Sequence, residues 1–176
     1  MPLFLTRGFA LLALAMALPA MAGTPSSGTA SPANPTLTYI VGPFAQSNPT
    51  PVPSVDVGPR CNATQSPCDS YQLTVTVPPG YTTANPNAKV RITTGWGATS
   101  VSDYDLYIYS GVRGDLNGTV VADVGKSSSS ANPEVFEFAP VSGATTVYTI
   151  KVVPYAVTPM EVVNGKIELV LSLIHI

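Results

Sequence analysis

Tyr71-Gln72-Leu73-Thr74-Val75-Thr76-Val77 decides how this chain folds. Apolar side chains stand at 71, 73, 75 and 77 with polar ones between, the period of two that sends alternate residues to opposite faces of an extended strand. One face has to be buried and the other kept polar. Pro78-Pro79-Gly80 ends the segment, because prolines withhold the backbone N–H and glycine turns freely.

The same alternation recurs downstream. Val90, Ile92, Thr94 and Trp96 share one face of a second strand, with Lys89 and Arg91 on the other. Asp103 to Ser110 (DYDLYIYS) sets Tyr104, Leu106 and Ile108 against Asp103, Asp105, Tyr107 and Tyr109. Further strands are predicted at Thr119 to Val124 and at Glu134 to Phe138. Two more are predicted at Thr146 to Val153 and, after an Asn164-Gly165 turn, at Ile167 to Leu173. No segment has a 3.6-residue period, and no unit of 20 to 50 residues repeats. Seven or eight short strands, each with one apolar face, bury those faces best as two packed layers. The expectation is an all-β fold, a two-sheet antiparallel sandwich of jelly-roll type over residues 71–173.

Upstream the character changes. Residues 1–22 read as a secretory signal peptide: Arg7 is the only charge, Gly8 to Leu18 is apolar, and Ala20-Met21-Ala22 offers the small residues a signal peptidase cuts after. The apolar run is too short for an ordinary membrane-spanning helix. Residues 23–37 are rich in Ser, Pro and Gly and read as a disordered lead-in. In residues 38–70, Thr38 to Val41 could form a short strand. The prolines at 43, 49, 51, 53 and 59 then favour extended, surface-hugging chain. Export gives Cys61 and Cys68 a meaning. Two cysteines across a short, turn-rich loop in an oxidising compartment form a disulfide, whereas a zinc site would need two more Cys or His ligands. The single histidine, His175, lies far away at the end of the chain.

Composition limits function. Eight basic and ten acidic residues give a net charge of -2 with no basic block, which excludes an electrostatic nucleic-acid surface. Charged residues make up 10% of the chain, and its Pro, Gly and Thr content argues against a helical bundle. One terminal histidine and two paired cysteines leave no base for a Ser/His/Asp or Cys/His site. A carboxylate pair of the glycosidase kind stays open in principle. Asp103 and Asp105, two residues apart on one strand face, are ~6–7 Å apart and could hold a hard cation such as Ca2+, with Asp123 or Glu134 joining if the fold brings them near. Against this stands an ordinary solvated strand face. Tyr107 and Tyr109 on the same face are candidate ligand-binding aromatics, against a role as cross-strand packing partners; Trp96 keeps the inward register of a core residue. Asn62-Ala63-Thr64 and Asn117-Gly118-Thr119 match the glycosylation sequon and are assigned no role.

The order YQLTVTVPPG, VRITTGW, SDYDLYIY, a Gly-rich turn, VVADVG, Pro133-Glu134 and YTIKVVPY resembles the bacterial pre-peptidase C-terminal domain and related jelly-roll modules of secreted hydrolases. The resemblance covers about Tyr71 to Leu173 and rests on the D-x-D-L-Y-I-Y strand, Asp103 to Tyr109. It implies a non-catalytic accessory unit beside a hydrolase domain, with calcium or a polymer bound in some members. Asp103 and Asp105 are the residues that match the calcium-binding members. The expected partner is then a neighbouring domain of the same protein or an extracellular polymer, and the expected location is extracellular or periplasmic, off the membrane once the signal is cleaved. The alternative is a stand-alone carbohydrate- or protein-binding module of adhesin type. The chain finishes inside an apolar run, Leu169 to Ile176, so residues 174–176 are read as a truncation or read-through tail.

Overall fold

A computed structural model describes residues 23–49, 58–61, 66–114 and 122–171. The expected signal peptide, both sequons and the tail after Leu171 lie outside the described residues. Nine strands are described: β1 (Ser27–Ala30), β2 (Thr36–Val41), β3 (Asp69–Thr76), β4 (Lys89–Gly95), β5 (Asp103–Ser110), β6 (Gly125–Ser127), β7 (Glu134–Phe138), β8 (Thr145–Ala156) and β9 (Val163–Val170). One helical turn, α1 (Tyr81–Ala84), joins β3 to β4. The strands form two sheets, β1-β3-β8-β5-β6 and β2-β9-β4-β7.

The strand order carries the jelly roll. β2 pairs antiparallel with β9, β3 with β8, β4 with β7 and β5 with β6. The chain is thus one long hairpin folded back on itself about the β5–β6 turn. Rolling that hairpin adds the pairs β4–β9 and β5–β8 and splits it into two sheets. The alternation in the sequence supplies the filling: Tyr71, Leu73, Val75, Val90, Ile92, Tyr104, Leu106, Ile108, Ile150 and Ile167 are all buried in one cluster between the sheets. Tyr39 stacks on Tyr71 at 4.3 Å, and Trp96 packs on Tyr104 at 5.0 Å, in the inward position its register predicts.

Four expectations need correction. Residues 23–37 are not a structureless lead-in, because β1 pairs in parallel with β3, Ser27 opposite Gln72 through Ala30 opposite Val75. This is the one parallel pair among the described strands. The sandwich therefore begins well before residue 71, with β1 and β2 inside it. Asn164-Gly165 is no turn: both residues lie within β9, where Gly165 faces Tyr39 and a Cβ would collide with its ring. The strand expected at Thr119 to Val124 is displaced. Residues 122–124 lie outside any strand, the short β6 starts at Gly125, and 119–121 lie outside the described residues.

The two ends of the sandwich differ. The upper end holds the starts of β3, β5 and β9 and the ends of β2, β4 and β8; Asp69 at the head of β3 ties the sheets there by accepting the Gly42 N–H at 2.7 Å. The chain comes in at this end, where Thr24 bridges Ile40. It leaves at the lower end, where Val170 stands opposite Lys89.

Candidate functional site on the outer face of β5

β5 places Tyr104, Leu106 and Ile108 in the main core, so Asp103, Asp105, Tyr107 and Tyr109 face outward, as the alternation predicts. Outward does not mean exposed. Tyr107 is 4% and Tyr109 0% exposed, packed with Val153 of β8 and with Cys61 and Cys68 in a second small cluster. Among the described residues between β2 and β3, Cys61 and Cys68 lie over this face. Two tyrosines offered as surface ligand contacts are instead packing residues, and that expectation is corrected. What covers them has no apolar periodicity, so the strand pattern alone could not reveal it.

The Cys61–Cys68 disulfide forms as the sequence predicts. Its segment is fixed by a residue that sequence reasoning missed, Asn48. The Asn48 backbone N–H donates to the Pro154 carbonyl at 2.6 Å, while Nδ2 donates to the carbonyls of Arg60 at 2.7 Å and Pro67 at 3.0 Å. Pro154 sits where the β5–β8 register slips by one residue, between the Asp103–Ala156 and Asp105–Val153 pairs. A proline withholds its own N–H there while its carbonyl stays free to accept.

The acids separate into two groups. Asp123 belongs to the lower end, accepting the Ser110 N–H at 2.8 Å and facing Arg113 at 3.2 Å. Partial burial works against its charge, but the Ser110 hydrogen bonds and Arg113 hold its carboxyl below the usual range. The other group joins Asp103 and Asp105 to Glu134 at the head of β7. Glu134 is fully buried and accepts hydrogen bonds from the hydroxyls of Ser127 and Ser129 and from the Ser129 N–H at 2.9 Å. Asp105, 7% exposed, is pushed up to about 7, first by burial and then by the charge of Asp103. The Tyr107 hydroxyl, donating to it at 3.3 Å, only partly offsets this. Asp103 is raised by burial and by Glu134, and its Oδ1 is a buried oxygen with no partner among the described residues.

Chemically, this is a site of crowded carboxylates under a sealed aromatic face. Asp103 and Asp105 are brought together, Glu134 acts on both, and Asp123 is kept apart. No three Asp, Glu, His or Cys side chains among the described residues gather closely enough to ligate one metal ion. No helix among those residues is long and apolar enough to cross a membrane. No protein-family model matches the chain, and no curated protein matches its sequence.

Proposed function

We propose that this chain is an exported, non-catalytic β-sandwich module that spaces and stabilises an adjoining domain of a secreted hydrolase. The observation that carries the reading is the path of the chain, which joins the sandwich at the upper end and leaves at the lower. Such a path turns the lower end of the sandwich toward a domain that follows it in the chain. The sealing of Tyr107 and Tyr109 supports the same reading over a stand-alone binder, since it withdraws from the surface the aromatics a polymer would stack on. The disulfide fits an oxidising compartment. Reading the gene downstream of Ser172 tests the proposal: an open frame running into a hydrolase domain is expected, and a genuine stop would favour the adhesin-like alternative.

A calcium ion belongs to this proposal as a stabilising ligand. The fit is partial. Asp103 and Asp105 supply two carboxylates, one with an orphaned oxygen, whereas the Glu134 oxygens are taken by Ser127 and Ser129. A divalent charge there would relieve the mutual repulsion of the carboxylates, and backbone carbonyls and water would complete the six to eight oxygens calcium takes. Thermal melts should rise in millimolar Ca2+ and fall in chelator, as for any ligand bound only by the native state. The shift should vanish in Asp103→Asn/Asp105→Asn, and a wild-type melt indifferent to calcium removes the ion from the reading.

A further inference from the structure

Gly23 is buried at the upper end of the sandwich, between the end of β2 and the head of β3. Its N–H donates to the Ser70 carbonyl at 3.1 Å, and a Cβ on it would press on the Tyr39 ring at 3.1 Å. Thr24 then exchanges two backbone hydrogen bonds with Ile40, at 2.9 and 3.0 Å. Asp69 joins the same two segments. Its Oδ1 accepts the Ser70 N–H at 2.6 Å and its Oδ2 the N–H of Gly42, two residues past Ile40, at 2.7 Å. Gly23 and this carboxylate therefore share Ser70, one on its carbonyl and one on its N–H. Asp69 is 3% exposed, and the charge of Lys151 offsets that burial less than the two N–H groups do, so its carboxyl is raised to about 6. Each of its oxygens has a second lone pair for a further donor.

We propose that signal-peptidase cleavage after Ala22 makes the α-ammonium of Gly23 a structural cation, seated on the Ser70 carbonyl and paired with Asp69. The pairing rests on the export reading of residues 1–22, which puts the cut between Ala22 and Gly23. Hydrolysis of that peptide bond consumes one water. Ala22 leaves as a carboxylate, and Gly23 keeps an amine that takes up the proton near neutral pH. A single backbone donor becomes three, with a full positive charge. One N–H keeps the Ser70 carbonyl, and another turns to the carboxylate in a charge-assisted hydrogen bond, stronger than a neutral one. Asp69 then returns toward ordinary carboxylate values, and any loss of stability toward alkaline pH falls to Asp105. The uncleaved chain lacks this cation, so the upper end of the sandwich is completed only after export.

Thermal melts near neutral pH test the pairing on the chain that begins at Gly23 and on one carrying a single alanine before it, each also as Asp69→Asn. The added residue shifts the ammonium by about 3.8 Å along the chain and leaves the rest of the sequence alone. The expected result is a fall in Tm of about 5 °C or more with Asp69 in place and of at most about 1 °C in Asp69→Asn. A second readout uses the wild-type chain and decides the matter if Asp69→Asn fails to fold. Followed through the Gly23 α-protons by nuclear magnetic resonance, the amine should titrate above its usual range of about 7.7–8.0. Equal falls in both backgrounds, or an amine that titrates at or below that range, would overturn the pairing and leave export untouched. N-terminal sequencing of the exported protein separates the two: Gly23 as its first residue is expected, and any other would overturn the cut and the pairing together.

Discussion

At the scale of single residues, the side chains that matter most are polar ones whose partners lie far along the chain. Asn48 is 3% exposed and satisfies the carbonyls of Arg60 and Pro67 at once, so its removal takes the donor from two part-buried acceptors. Unsatisfied buried groups cost about 1–3 kcal/mol each, part of which water recovers when a surface segment relaxes. Asn48→Ala is therefore expected to lower unfolding stability by about 2 kcal/mol in urea titrations, with the slope against urea unchanged. Asn48→Asp should be worse, since it aims a carboxylate at two carbonyl oxygens. A loss under about 0.5 kcal/mol would mean the disulfide alone fixes the segment. Nothing around Asn48 in the sequence marks it, because its partners, at 60, 67, 68 and 154, become neighbours only after folding. Glu134 hides in the same way: its burial makes sense only once Ser127 and Ser129 turn back to donate to it.

At the scale of elements, legibility follows what holds each strand in place. β3, β4, β5 and β8 are held by side-chain burial, and their alternation can be read directly from the residues. β1 is Ser-Gly-Thr-Ala and is held by its backbone: Ser26 O accepts the Gln72 N–H at 2.9 Å, Ser70 O accepts the Gly23 N–H at 3.1 Å, and the ladder to β3 continues to Ala30. Gly28 permits this because a Cβ there would strike the Tyr71 hydroxyl. Hydrophobic periodicity cannot detect such a strand. Its contribution can be measured by comparing chains that start at Gly23 and at Ser31. The shorter one exposes the edge of β3 and part of the Tyr71 ring, and about 2–3 kcal/mol should be lost. For a domain of this size that is a fall of roughly 5–10 °C in Tm. Equal melting temperatures would restore the reading of residues 23–37 as a passive lead-in.

At the scale of the whole molecule, the placement of carboxylates sets how stability depends on pH. Asp69 and Asp105 are both buried and both raised from 3.8, to about 6 and about 7, with desolvation as the first cause in each. Asp69 is partly compensated by the Gly42 and Ser70 N–H groups and by Lys151, whereas Asp105 has Asp103 and Glu134 against it. The folded state thus holds protons that the unfolded chain has already released. Their stabilising contribution is full below about pH 4 and is lost as pH rises through about 6 and then about 7. Asp123 and Glu161, both lowered, act in the opposite sense and weaken the fold only at more acidic pH. Measured in chelator, so that no divalent ion replaces the proton, unfolding free energy should peak near about pH 4–5 and decline toward about pH 8. Asp105→Asn keeps an acceptor for the Tyr107 hydroxyl and removes the charge. It should gain roughly 2–3 kcal/mol at about pH 8, change little at about pH 4, and flatten most of the slope between. A profile that instead rises steadily across that range, or a variant no more stable than wild type at its alkaline end, would mean that Asp105 is ionised at no cost. The charge of Lys126, which already favours the ionised form of Asp105, would then outweigh burial and the neighbouring carboxylates.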